Sequence, residues 1–311
     1  MLSYIATRLG RAIFTIFLVL TFSFTILATT GDPALLILSA DAPPEAIEAF
    51  REHYGLDASI WQQYLGYLGN LLRGNLGQSL RDGRDAWDVV VERIPLTLAL
   101  TVPAFLLKIS IGIPAGIYAA LHRNSLLDRL VMMISVAGYT VPSFVLGLIL
   151  ILVFAVKLGV LPSGGSETWS HAVLPILTLG TAGAAIIARY TRSAMLEVLG
   201  QPYIRTARAK GVPWPKAVRR HALPNAAIPT LTVVGLMVGS LIAGAVVVES
   251  VFSWPGVGRL LISAVANRDL MIVQAILLLV AMCMVTSNLL VDIAYGLIDP
   301  RLRGRGSNKT A

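Results

Sequence analysis

Five stretches of this chain contain no charged residue, and each is about as long as a membrane-spanning helix. A helix needs roughly 20 residues, with a range of about 17–25, to cross the hydrocarbon layer. In lipid the backbone groups must be satisfied within the element, so each stretch is predicted to be helical. A sixth stretch is interrupted only by Lys108. The sequence therefore predicts an all-α polytopic membrane protein with about six transmembrane helices, at 12–31, 94–121, 130–156, 172–188, 222–248 and 270–291.

The composition supports the membrane class. Hydrophobic residues make up 56% of the 311 residues and charged residues 14%, whereas roughly a quarter is charged in soluble domains. The formal net charge is +8, but most of the excess lies in short segments between apolar stretches, so nucleic-acid binding is not predicted. Cys283 is the one cysteine and cannot form an intramolecular disulfide. The four histidines lie far apart in the chain, without metal-ligand spacing.

The distribution of basic residues predicts the orientation. Arg8 and Arg11 precede the first apolar stretch, which could be a signal peptide. That stretch is longer than the usual h-region of 7–15 residues and no clear cleavage site follows, so a retained first helix is favoured. With six spans and a cytoplasmic N-terminus, the inside receives 16 of the 25 lysines and arginines and 4 of the 17 acidic residues. The positive-inside rule thus places both termini in the cytoplasm.

Three parts follow along the chain. Residues 1–30 form the N-terminal tail and first span, and 31–93 form a periplasmic segment with short amphipathic helices predicted at 44–53 and 61–72, closed by a turn at 74–77. Residues 94–311 form the core with the other five spans. The core includes a cytoplasmic loop at 191–225.

The inner loop carries the most informative pattern. Good helix formers end at Gly211, a natural residue for the end of a helix, and Pro215 suits the first turn of a second helix. This predicts two short helices with a tight bend outside the membrane, a shape suited to a groove on a soluble protein. A plain basic loop that sets topology or touches anionic lipid explains the composition equally well.

The residue order distinguishes these readings. It resembles the cytoplasmic coupling motif of ABC importer permeases, in which Glu-Ala-Ala is followed by three residues, Gly, nine residues and Ile-x-Leu-Pro. With Gly211 on the motif glycine, Arg205, Thr206 and Ala207 occupy the Glu-Ala-Ala positions and His221 the Ile position, so Arg205, Thr206 and His221 depart from the motif. The Leu-Pro is matched by Leu223 and Pro224. The segment 206–211, Thr-Ala-Arg-Ala-Lys-Gly, is similar to the variant of the dipeptide/oligopeptide/nickel importer permeases.

The resemblance extends over nearly the whole chain. Further matching segments stand in order between the predicted spans: Gly-Asp-Pro at 31–33, His-Tyr-Gly-Leu-Asp at 53–57, Ser-Ala-Met-Leu-Glu-Val at 193–198, Pro-Gly-Val-Gly at 255–258, Arg-Asp at 268–269 and Asp-Pro-Arg at 299–301. The chain is thus identified as a first permease, similar to dipeptide permease B, with the type I ABC importer permease fold.

The resemblance implies a non-catalytic subunit in the bacterial inner membrane. The sequence has no phosphate-binding loop of the Walker A type, so ATP and Mg²⁺ would be held by partners and no cofactor by this chain. The implied partners are two cytoplasmic ATPase subunits, a second homologous permease and a periplasmic or lipid-anchored solute-binding protein, besides membrane lipid. Coupling would depend on Arg205, Thr206, Ala207, Lys210, Gly211, His221, Leu223 and Pro224. The expected solutes are dipeptides or oligopeptides, and nickel complexes, sugars and glutathione-like compounds remain open.

Two further sites stay open at the level of sequence. Lys108 lies near the middle of the second predicted span, where a lysine costs about 2.5–3.5 kcal/mol on insertion scales. It is either a pathway residue that attracts an anionic group of the solute, or a buried contact with carbonyls or with Asn288. The outer loop at Trp254, Pro255 and Gly256 is either a short helix and turn facing the binding protein or an ordinary loop.

Two other classes of membrane protein compete with this interpretation. A secondary transporter usually shows inverted repeats and midplane ion-binding groups, whereas Lys108 is the only midplane charge here. An intramembrane hydrolase needs a nucleophile and a base at membrane depth, whereas every histidine lies at the end of a predicted span or beyond it.

Overall fold

The computed structural model describes residues 2–29, 34–35, 38, 42–79, 81 and 83–298. This part of the chain is almost entirely helical. The motifs at 31–33 and 299–301 lie outside the described residues. The helices are α1 (Leu2–Thr29), α2 (Pro44–Tyr54), α3 (Ile60–Leu72), α4 (Ala86–Val91), α5 (Ile94–Leu121), α6 (Leu126–Thr140), α7 (Ser143–Leu150), α8 (Ser170–Leu199), α9 (Pro202–Ala209), α10 (Trp214–Ala217), α11 (Leu223–Gly239), α12 (Val246–Val251), α13 (Val257–Ala266) and α14 (Leu270–Ile298).

All six predicted spans contain long helical segments, which confirms the all-α polytopic fold. Within the described residues, four continuous helical segments are long and apolar enough to cross a membrane, at 86–121, 170–199, 214–239 and 270–290. The pair of helices at 126–157 is a fifth if it counts as one span. The first predicted span lies in α1, where the apolar helical stretch 13–25 is described.

Two of the predicted spans are not single straight helices. The span predicted at 130–156 is bent by 103° between α6 and α7. The bend lies at Val141, which is extended (ψ 118°), because the residue before a proline avoids the helical region. The span predicted at 222–248 ends as a regular helix at Gly239, and a 3₁₀ turn at Ala243–Ala245 precedes α12.

Small residues allow the central pair of spans, α5 and α8, to approach closely. A side chain on Gly116 would place a Cβ atom 2.5 Å from the Ala188 carbonyl oxygen, and one on Gly112 would lie 2.7 Å from that of Ala184. Without a hydrophobic driving force in lipid, such close backbone contact stabilises helix pairs. Small residues also lie at the contact of α11 with α14, where the Ser287 hydroxyl donates to the Gly235 carbonyl oxygen (3.0 Å).

Replacing Gly116 by leucine is expected to separate α5 from α8 and to prevent assembly of a stable protein. The reason is that the neighbouring atoms are backbone and Thr191 Cβ, which cannot swing away. Yield of monodisperse protein in mild detergent measures the effect. Gly10→Leu in α1 is the control, because nothing lies within 4 Å of its Cβ position; an equal loss of yield in both variants would contradict the packing argument.

The outer segment forms an ordered cap, and the two amphipathic helices predicted there are present as α2 and α3. The first ends at Gly55, which adopts the left-handed conformation (φ 64°), and the second begins with a capping box formed by Ser59 and Gln62. The predicted turn contains two glycines with positive φ, at Gly74 and Gly77. The cap is joined to the last span because the Ser79 hydroxyl donates to the buried Asp269 carboxylate before α14.

Candidate functional site: the cytoplasmic coupling segment

The coupling segment, residues 202–224, begins with α9 directly after the inner end of α8. One residue holds this short helix against the core: Ile204 is 2% exposed and packs in a cluster with Ala120, Met195 and Val218. Full burial of one such side chain stabilises by about 1.5–3 kcal/mol. The buried face of α9 is therefore fixed, while the opposite face is left uncovered in this chain.

Gly211 forms the bend that the sequence predicts. Its φ angle is +82°, in the left-handed region where side chains other than glycine are strained. The Val212 amide donates to the Ala207 carbonyl oxygen (3.1 Å) and the Gly211 amide to that of Arg208 (2.9 Å), so the last carbonyls of α9 are satisfied. Nothing in the described chain lies within 4 Å of a Cβ atom at this position. Within this chain, position 211 therefore requires glycine because of its backbone angle and not because space is lacking.

The second arm differs from the prediction. Two separate short helices were expected, but α10 runs on through a wide π turn at Val218–Ala222 into α11. The arm is therefore the first part of the fifth span, in one helical segment from Trp214 to Gly239. The physical reason is burial: Val218, Ala222 and Ala226 pack into the same cluster as Ile204, so the chain has no reason to break there.

The eight predicted coupling residues fall into two groups by their exposure to solvent. Arg205, Thr206, Lys210, Gly211 and Pro224 are exposed, and Ala207, His221 and Leu223 are half-buried. Pro224 follows Leu223 directly after the π turn, at the start of α11.

Three residues of the coupling segment were not singled out from the sequence. The Arg208 guanidinium lies 5.4 Å from the centre of the Trp214 ring, a cation–π distance that ties the two arms across the bend. Partial burial raises the pKa of the Tyr203 phenol above its ordinary value. Only the spacing of Arg208 and Trp214 around the glycine could have indicated their contact.

A buried ion pair that was not predicted from the sequence lies at the inner ends of α6 and α8. Arg192 and Asp128 form a two-pronged contact, with 2.8 Å between Arg192 Nη2 and Asp128 Oδ2. Asp128 is 3% exposed and also accepts from the Asn124 amide (2.9 Å). The pair is separated by 64 positions in the sequence, so no local pattern indicates it. It joins the helix that carries the coupling segment to its neighbour α6.

The outer loop predicted at Trp254, Pro255 and Gly256 does not expose its tryptophan. The loop lies between α12 and α13, but Trp254 is 4% exposed and its indole N–H donates to the Leu96 carbonyl oxygen (2.9 Å). Gly256 is buried and Pro255 half-buried, whereas Ser253 and Arg259 are exposed. Any contact with a binding protein at this loop would therefore use Ser253 and Arg259 rather than the tryptophan.

Lys108 lies at the contact of α5 with α8. Its aliphatic stem runs over Gly183, where a Cβ atom would come within 2.5 Å of the Lys108 Cδ atom. Among the described residues, no hydrogen bond or ion pair of the Lys108 ammonium is found, and none joins it to Asn288, which is exposed on α14. The structure thus brings the coupling residues together and does not join Lys108 to Asn288.

Comparison with known proteins identifies the family of this chain. The profile of the family described as binding-protein-dependent transport system inner membrane component matches residues 112–304. The profile of its N-terminal domain matches residues 1–101. The chain belongs to this family. The family and the apolar helices together place the permease in the inner membrane, as a non-catalytic membrane subunit of an ABC importer.

Curated relatives of the permease cover almost its full length. The glutathione transport system permease protein GsiC of Escherichia coli is 43% identical over 304 residues, which is 97% of this chain and 99% of the relative. GsiC of Shigella dysenteriae and of Shigella boydii show the same identity and coverage. The identification of the chain from its motifs is thereby confirmed.

Solved structures show the same fold. An inward-facing structure of the MetNI methionine ABC transporter superposes with a TM-score of 0.57 at 23% identity, covering 68% of this permease and 96% of that chain. An amino acid ABC transporter with histidines gives 0.52 at 20% identity, covering 67% and 92%. These matches confirm the type I importer permease fold.

Proposed function

We propose that this permease forms one half of the solute pore of an ATP-driven importer that takes up short peptides or peptide-like compounds. The other half would be a second homologous permease. Two cytoplasmic ATPase subunits, which hold ATP and Mg²⁺, would grip the coupling segment of each permease. A periplasmic or lipid-anchored binding protein would deliver the solute from outside.

The observation that carries this proposal is the shape of the coupling segment. The segment offers an exposed face with Arg205, Thr206 and Lys210 while Ile204 is held in the core. An element that is to transmit force must be rigid toward its own protein and open toward its partner. A basic loop that only sets topology needs neither a buried anchor nor satisfied carbonyls at a left-handed glycine.

The continuity of the elements supports alternating access. ATP binding closes the ATPase dimer and displaces α9 together with the arm at α10. The displacement is passed to α8 at one end and to α11 at the other, since the segment is joined to both. ATP shifts the equilibrium between inward and outward states only by its different affinity for the two, and hydrolysis restores the first state.

The solute class is proposed from chemistry and similarity together. Relatives with 43% identity over nearly the whole chain are glutathione permeases by name, and glutathione is a small peptide-like compound with free carboxylates. The Lys108 ammonium, which lies at midspan without a protein partner among the described residues, fits a carboxylate. Short peptides with a free C-terminus are peptide-like and also carry a carboxylate that can pair with Lys108.

Reconstitution tests the proposed function directly. The tagged permease is purified in mild detergent, with the expectation that an ATPase subunit is retained, and the complex is placed in vesicles with its binding protein. ATP-dependent uptake of glutathione, dipeptides or longer peptides is expected, above that of a nickel complex or a sugar. Uptake that persists without any ATPase partner would instead identify a secondary transporter.

Replacing Lys108 by methionine is expected to reduce uptake of carboxylate-bearing peptides by about tenfold, because a hydrogen bond to a charged group contributes about 1.5–3 kcal/mol. Uptake of the same peptides with an amidated C-terminus should change little. Lys157→Met, at the exposed outer end of the bent span, is the matched control. An unchanged solute range and rate in Lys108→Met would exclude a role in the pathway.

A further inference from the structure

A buried carboxylate connects two elements at the outer face. Glu249 in α12 is fully buried and accepts three hydrogen bonds. Its Oε1 atom accepts from the Thr97 hydroxyl of α5 (2.6 Å), and its Oε2 atom from the amides of Gly258 (2.7 Å) and Arg259 (3.1 Å) in the first turn of α13. One side chain thus joins α12, α13 and the outer end of α5.

The backbone amides of this network can act only as donors. Thr97 is also fully buried, and its hydroxyl oxygen accepts from the Val257 amide (2.8 Å) while its proton is donated to Glu249. Both carboxylate oxygens therefore meet donors only, which is what an ionised carboxylate requires. Among the described residues no cation forms an ion pair with Glu249. Its charge is held by two amides and one hydroxyl.

The surrounding chain is shaped around this carboxylate. A Cβ atom on Gly256 would collide with the Glu249 side chain, and one on Gly258 would collide with the Val246 backbone of α12. Two additional bonds run in parallel: Arg93 donates to the Pro255 carbonyl oxygen (3.3 Å), and Trp254 donates to that of Leu96 (2.9 Å). Together with the bond from the Val257 amide to Thr97, three hydrogen bonds thus join the outer loop and α13 to Arg93 and the first turn of α5.

This arrangement lies where the outer mouth has to open. In the predicted orientation the connection between the fifth and sixth spans is on the outer face, and α13 leads directly into the last span. Separating α13 from α5 would take from the buried Glu249 carboxylate either the Thr97 hydroxyl or the two amides of α13, which costs more than breaking an exposed pair. We therefore expect α12, α13 and the outer end of α5 to move together relative to the rest of the transporter rather than relative to one another.

We propose that Glu249 is a positioning residue that fastens α13 to the outer end of α5, so that both move as one body when the outer mouth opens. This inference rests on the proposed alternating access. The outer opening would then arise between this unit and the other permease, and not between the two elements that Glu249 joins.

Replacing Thr97 tests the role of the network in coupling. Thr97→Val keeps the volume and removes the hydroxyl, whereas Thr97→Ser retains it. In the assembled complex with its binding protein, Thr97→Val is expected to lower solute transported per ATP hydrolysed by about tenfold, and Thr97→Ser to restore most of it. If transport and hydrolysis fall in proportion to the amount of assembled complex, the network serves stability alone and the proposal fails.

A distance measurement tests the rigid unit itself. Spin labels are attached at Leu98 in α5 and Val265 in α13, both exposed and outside the network, with Cys283 replaced by serine. The label distance is measured in the resting complex and in one trapped with ATP and vanadate, after vanadate inhibition of ATP hydrolysis has been verified. The same distance in both states is expected, and a clear change would overturn the proposal.

The parent complex separates the two hypotheses. A parent that shows no ATP-dependent uptake contradicts the proposed importer and the inference that depends on it. If the complex without the Thr97 substitutions transports, but the distance between the labels changes, only the proposed role of Glu249 is contradicted and the proposed importer stands.

Discussion

Gly211→Glu is expected to insert normally in the membrane, to lose uptake completely and to retain the ATPase subunits poorly. The glutamate must adopt a φ angle of +82°, which costs about 1–2 kcal/mol for an L-residue and unmakes the bend between the arms. Its side chain would also project into the space that an ATPase groove has to fill, since no atom of the described chain lies within 4 Å. Uptake and co-purified ATPase are measured together.

A graded series separates the two causes. Asparagine tolerates the left-handed conformation better than alanine but is larger. Higher uptake in Gly211→Asn than in Gly211→Ala would show that the backbone angle dominates, and the reverse order would show that space for the partner dominates. Gly200→Glu is the matched control, because that glycine is exposed on the same side with an ordinary φ of −77°. Normal uptake by Gly211→Glu would remove the basis for coupling at this bend.

Arg192→Met is expected to destabilise the permease by about 3–5 kcal/mol, because it leaves the Asp128 carboxylate buried without its cation. The inner ends of α6 and α8 would lose their only ion pair among the described residues. The thermal unfolding midpoint in detergent and the uptake of the assembled complex should both fall.

The control lies one helical turn away. Arg189→Met removes a cation that stacks on Tyr139 and Tyr190 at 5.1 and 5.4 Å, which contributes about 0.5–1 kcal/mol. The double variant Asp128→Leu/Arg192→Met should recover much of the stability, since a buried pair can be replaced by apolar groups at little cost. Equal losses in Arg189→Met and Arg192→Met would contradict the assignment of a buried pair.

Much of the fold could be predicted because membrane insertion imposes local rules. Apolar length determines where spans lie, and the cap helices at 44–54 and 60–72 carry their own helical periodicity. The bend at Gly211 was predictable for a similar reason, since glycine at the end of a run of helix formers adopts a conformation that other residues avoid.

What could not be predicted depends on contacts between distant residues. Trp254 was expected on the surface, but its hydrogen-bond acceptor, Leu96, lies 158 positions earlier in the chain. The contacts of Glu249 with Thr97 and of Asp128 with Arg192 likewise join residues that are distant in sequence. The bend at Val141 was predictable in principle from Pro142, yet prolines inside α5 and α8 leave those helices continuous. Tertiary packing decides between these outcomes.

The unbroken helical segment 214–239 has a mechanical consequence. Its 26 residues span about 39 Å at 1.5 Å per residue, which exceeds the roughly 30 Å of the hydrocarbon layer. In the proposed mechanism, a helix of that length would carry a tilt from its cytoplasmic end to the opposite leaflet. A small tilt at the cytoplasmic end would then become a larger sideways displacement of the far end, and the displacement would grow with every turn of helix beyond the pivot.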